Sequence, residues 1–210
     1  MSFDPRRFFS IRTLGLAGVL APIIGYSGIL LSILLNLDWF SLTDNALSDL
    51  GHYGNLGLRA FIYNSGLFIS GLLVLIFCLA IFYQEKEAFT DDALGKTLFS
   101  VGVVAFSIAG LALVSISIFS EDFGPIHQFV SEVFFVSIPF AMWFFGGAFY
   151  RRAELNTMGL FALLVGTIAG LTWISYFVLP VFSGVAIPEA LSSIAVSLWI
   201  VFRGIQYYQS

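Results

Sequence analysis

The chain holds two histidines, and both stand among carboxylates. His52 closes the polar run TDNALSDLGHYGN (residues 43–55) behind Asp44 and Asp49; His127 lies between Glu121, Asp122 and Glu132 in SEDFGPIHQFVSEVFF (residues 120–135). Imidazole and carboxylate together can ligate zinc, move protons or receive a polar headgroup. A catalytic zinc site needs three protein ligands and an open fourth position. No HExxH or HxxxH spacing occurs, and five residues from His127 to Glu132 do not stack two ligands on one helix face. No cofactor is therefore expected; His52, His127 and Glu132 would be the residues for a zinc ion. A relay of Ser48, Asp49 and His52 is disfavoured because all three share one short segment, where nucleophile, base and orienter cannot line up.

Glu132 falls inside an apolar run, and a carboxylate in lipid faces a partner or a wet cavity. Gln128 lies one turn before it on the same face, as His127 does before Ser131. Arg59 is a cation that could pair with Asp49 or Glu132, or grip a phosphate or carboxylate bidentately. Asn64 and Ser65 start the following apolar run. The candidate pocket is thus Ser48, Asp49, Arg59, Asn64, His127 and Glu132.

The elements that must carry these residues follow from composition. The chain is 59% hydrophobic and 10% charged with a mean hydropathy of +0.95, whereas a soluble domain carries about 25% charged residues. Six apolar runs, near residues 14–36, 60–83, 97–119, 128–149, 157–179 and 188–208, are each long enough to cross a hydrocarbon core of about 30 Å. The expected fold is an all-α, polytopic six-helix bundle forming a single transmembrane domain over residues 1–210. Arg6, Arg7, Arg12, Lys86, Lys96, Arg151, Arg152 and Arg203 fall on one side of it, and only Arg59 on the other. The positive-inside rule then places both termini in the cytoplasm of a cell-membrane protein, with the polar run outside. A net charge of −4 argues against nucleic acid as a partner, since phosphate binding needs clustered Lys and Arg. The lone Cys78 forms no internal disulfide. RRFFS ahead of the first run resembles an export signal, but the run is too long for a cleaved one.

Finer features set expectations for the loops and seams. Residues 41–52 separate into an apolar face (Leu42, Ala46, Leu47, Leu50) and a polar one (Asp44, Asn45, Ser48, Asp49, His52), which predicts a short amphipathic helix. Ser41 with Asp44 would form its capping box, and a left-handed Gly51 would end it. QEKEAFTDDALGK (residues 84–96) reads as a solvated turn with Thr90 at a helix start. Gly166 and Gly170 form a GxxxG, suited to a bundle seam or to an oligomer contact. Pro139 interrupts the fourth run, and Pro180 ends the fifth.

NALSDLG (residues 45–51), YNSGLFISGLLVL (residues 63–75) and the histidine in FSEDFGPIHQF (residues 119–129) resemble the prokaryotic multi-span membrane proteins grouped as "domain of unknown function 998". The family's SDLG corresponds to Ser48, Asp49, Leu50 and Gly51, its Asn and Gly to Asn64 and Gly71, and its histidine to His127. His52 departs from the pattern. More distantly, the polar first loop is similar to that of six-span eukaryotic lipid-remodelling and autophagy-modulator proteins. The resemblance implies a shared fold and site without an established activity. The residues favour an accessory, non-enzymatic membrane protein whose outer pocket binds the headgroup of a lipid, an isoprenoid or another amphiphile. The alternatives are an intramembrane metal- or His-dependent lipid hydrolase or transferase, a transporter, and a structural subunit of a membrane complex.

Overall fold

A computed structural model of the chain describes residues 10–179 and 183–210; Arg6, Arg7 and Pro180, which bear on topology and helix ends, lie outside them. Lipid offers no hydrogen bonds, so each crossing segment must satisfy its backbone internally as a helix. Six helices meet that demand: α1 (Ile11–Leu34), α3 (Leu58–Glu85), α4 (Ala93–Ile118), α5 (Pro125–Tyr150), α6 (Asn156–Val178) and α7 (Ala186–Gln209). A short α2 (Tyr53–Leu56) precedes α3, and no strand occurs among the described residues. The expected runs match these helices to within a few residues.

Neighbours in sequence are neighbours in space from α1 through α3 to α7, and α7 returns to α1, closing a ring. Close approach depends on small residues. A Cβ on Gly28 of α1 would lie 3.1 Å from the Gly66 Cα of α3, and one on Gly166 would lie 2.8 Å from Met142 Cβ of α5. Gly170 likewise faces Trp143. The GxxxG is therefore spent on a seam within the chain, between α5 and α6.

The half of the ring nearest the termini is solid. Phe77, Phe106, Phe145, Phe149 and Trp199 are almost wholly buried there, with Phe145 stacked on Trp199 at 5.7 Å between centroids. Glu85 and Arg203 form an ion pair between α3 and α7, and Tyr207 Oη donates to Glu85 Oε1 at 2.8 Å. Residues 84–96 are no free turn. Asp92, rather than Thr90, caps α4 by accepting from Gly95 N at 3.0 Å. The same carboxylate receives two hydrogen bonds from Arg151, of 2.7 and 2.9 Å, which bring its pKa down to about 2. Asp91 pairs with Arg152, whose guanidinium overlies the fully buried ring of Phe89.

At the opposite end the chain re-enters the ring through two glycines of positive φ, Gly57 (55°) ahead of α3 and Gly124 (52°) ahead of α5. Only glycine adopts that backbone without a Cβ clash. Residues 41–52 are not one helix: turns lead into a 3₁₀ segment, Leu47–Gly51. Gly51 has no positive φ, and Ser41 Oγ donates to Asp44 Oδ2 at 2.7 Å instead of accepting the Asp44 backbone N–H, which goes to Ser41 O at 3.3 Å. Tertiary docking, described next, overrides the local helical pattern.

Candidate functional site

The SDLG turn is folded by its own polar side chains. Asp49 Oδ2 accepts from Ala46 N and from Asn45 Nδ2, both at 3.0 Å, while Asn45 Oδ1 accepts from Ser41 N at 2.9 Å. These bonds satisfy backbone groups that a regular helix would have satisfied itself. Leu47 and Leu50 are thereby driven into a cluster with Phe40, Tyr63, Leu67, Leu113 and Ile116.

Three further contacts fasten the turn across the ring. Asn64 Nδ2 of α3 donates to Gly51 O at 2.9 Å, and a Cβ on Gly51 would stand 2.7 Å from Asn64 Oδ1, so this glycine is required by close approach. Glu189 in the first turn of α7 accepts Leu47 N at 2.7 Å, and Ala186 N donates to Asn45 O at 2.9 Å.

Glu121 belongs to a pair with His127. Nδ1 of His127 lies 2.8 Å from Phe119 O, which can only accept, so Nδ1 carries a proton. Nε2 lies 3.0 Å from Glu121 Oε2 and 3.3 Å from Ser131 Oγ. A bare Nε2 would set a lone pair against a carboxylate; one proton must therefore be shared by the two groups. The His127 ring holds the Glu121 carboxyl below its usual value, outweighing loss of hydration, with Ser48 assisting. Beside them Asp122 accepts from Tyr53 N and Gly54 N, each at 2.7 Å, and lies 3.0 Å from His52 Nδ1. This carboxylate ties the loop between α4 and α5 to α2.

Beneath the turn lies a cavity of about 110 Å³ walled by α1, α3, α4, α5 and α7. Its wall on α7 runs from Glu189 to Ile200, about 16 Å at 1.5 Å per residue. Volume and length together make it narrow. Leu67, Leu113, Phe134, Ile138 and Val196 render most of it apolar; Ser48, Tyr63, Ser131 and Glu189 supply polar groups at the capped end. Midway, Tyr26 Oη donates to Ser193 Oγ at 3.0 Å.

The structure thus brings together four of the six expected pocket residues. Ser48, Asn64 and His127 are buried and Asp49 half-buried within the cap. Arg59 and Glu132 are not among them. Arg59 is exposed and donates to Leu35 O and Asn36 Oδ1 at 3.3 and 3.4 Å, pairing with neither Asp49 nor Glu132. Glu132 is exposed and receives Gln128 Nε2 at 2.9 Å. The buried carboxylate at the cavity is Glu189 instead. Its signal was present in sequence as a polar stripe at helical spacing, Glu189, Ser192, Ser193 and Ser197. Among the described residues no three His, Cys, Asp or Glu side chains gather as a ligand set, and His52, His127 and Glu132 each engage a separate neighbour.

A family model described as "Protein of unknown function (DUF998)" matches residues 19–205. No curated protein and no solved structure gives a significant match.

Proposed function

We propose that this chain, which belongs to the DUF998 family of proteins of unknown function, receives an amphiphile: the tail enters the ring cavity and the headgroup sits under the SDLG cap. The observation that carries this reading is the cavity's lining, apolar over most of its surface, with its one carboxylate, Glu189, beside Ser48 and Tyr63 at the capped end and the hydroxyl residues Tyr26, Ser70, Ser193 and Ser197 further along. Pockets for drug-sized ligands span about 300–1,000 Å³; one of about 110 Å³ suits part of a single hydrocarbon tail. On the topology favoured by the basic residues, the capped end faces the outside of the cell membrane.

Catalysis is served less well. Ser131 Oγ lies 3.3 Å from His127 Nε2 and lines the cavity, which is the pairing a hydrolase needs. Glu121 competes for the same nitrogen at 3.0 Å, so that lone pair is not free to take the serine proton. We therefore read the site as one of binding. The test is native mass spectrometry of the full chain extracted in lipid nanodiscs, compared with Ala109→Phe, which fills the cavity from α4. A bound amphiphile retained by the wild type and lost by the variant is expected; identical spectra would remove the reading.

A further inference from the structure

Resting on that reading, we infer that the amphiphile taken by the cavity is single-chained and carries a primary amine. Glu189 is only 8% exposed, and it lines the cavity. One of its oxygens, Oε2, is committed to Leu47 N at 2.7 Å, while Oε1 has no hydrogen-bond partner among the described residues. A carboxylate so far from water requires a proton or a cation. No basic side chain reaches it. Arg59 is turned outward to Leu35 and Asn36, and the other described Lys and Arg lie at the end of the bundle nearest the termini. The proton on His127 is already shared with Glu121 3.0 Å away.

An ammonium headgroup completes this environment. It has three N–H donors and no acceptor, and Glu189 lines the capped end together with the hydroxyl-bearing Ser48, Tyr63 and Ser131. A phosphate would meet the Glu189 carboxylate with no Arg or Lys among the cavity's lining to neutralise it, so anionic headgroups are excluded by charge. The narrow bore excludes a second chain.

The experiment titrates the full chain in phosphatidylcholine nanodiscs with dodecylamine, dodecanol and dodecyl phosphate, and reads thermal unfolding of wild type, Ala109→Phe and Glu189→Gln. Subtracting Ala109→Phe removes effects of the amphiphiles on the bilayer. Dodecylamine should stabilise the wild type at concentrations about tenfold below those of dodecanol, the ratio of one charge-assisted hydrogen bond, and dodecyl phosphate should not stabilise it. Glu189→Gln should erase the preference for amine while keeping the response to dodecanol. Dodecanol matching dodecylamine in the wild type, or dodecyl phosphate exceeding both, would overturn the amine and leave the cavity as an amphiphile site. Equal responses of wild type and Ala109→Phe to all three would overturn the cavity reading itself. Should Glu189→Gln not fold, the wild-type series alone decides between amine and alcohol.

Discussion

Leu47 and Glu189 are 142 residues apart in the chain, yet Leu47 N donates to Glu189 Oε2 at 2.7 Å. This bond joins the SDLG turn to α7 and closes the ring over the cavity. It also takes one backbone donor of the two-turn amphipathic segment out of the helical pattern, while the Asp49 and Asn45 side chains take up those of Ala46 and Ser41.

The latch predicts local opening without global unfolding. Glu189→Leu removes the acceptor for Leu47 N, and an unsatisfied buried donor costs about 1–3 kcal/mol. Hydrogen exchange should therefore accelerate by about tenfold or more across residues 46–51 while the core of α4 and α5 stays protected. Unchanged protection in the turn would show that the bonds from Asn64 and Ala186 hold the cap without Glu189.

The Glu121 and His127 pair sets a pH dependence. A carboxyl depressed in the folded state contributes stability that is present above its unfolded value, about 4.3 for glutamate, and is lost as pH falls through the lower folded value. Glu121 is depressed chiefly by its hydrogen bond with His127. Melting temperature of the wild type should fall on acidification below about pH 4.3, and His127→Gln should flatten that part of the profile. Parallel profiles for the two proteins would contradict the pairing.

At the other end, Glu85 and Arg203 are both buried. Removing one partner of such a pair costs about 3–5 kcal/mol, because the other charge is left stranded. Arg203→Leu should lower the unfolding temperature sharply, and the double variant Arg203→Leu with Glu85→Leu should recover part of the loss. A double variant no better than the single would assign the effect to lost packing on Tyr207, which the Arg203 guanidinium overlies at 4.5 Å.

The GxxxG supplies a fourth test. A side chain at Gly166 would collide with Met142, 2.8 Å from its Cβ, so Gly166→Leu should destabilise the chain by about 1–3 kcal/mol through overpacking. Chemical denaturation measures this, and size-exclusion chromatography in parallel reports any change in mass. A change in mass with unaltered stability would place the glycines in a contact between copies.

Part of the site was legible before the fold. Ser48, Asn64 and His127 are polar residues at matching depth on successive segments, and depth follows directly from where each apolar run begins. Arg59 and Glu132 satisfied the same criterion but point away from the cavity. Glu189 satisfied it too, yet reads as a residue at the edge of the last run. The turn itself illustrates the other limit: its local pattern is helical, and a donor on α3 and an acceptor on α7, together with the Asp49 carboxylate, favour the 3₁₀ form.

The sequence by itself determined the six helices, since a hydrocarbon slab dictates both the length of each run and the internal pairing of its backbone. It also determined that polar groups would gather at one end. Tertiary structure decided which of them face inward. In a soluble helix an apolar stripe marks the buried face, but here lipid and core are both apolar, so little in the pattern of α5 records its rotation, while α7 carries only its short polar stripe. That rotation turns His127 and Glu189 into the ring and Glu132 out of it, and the candidate site follows from it.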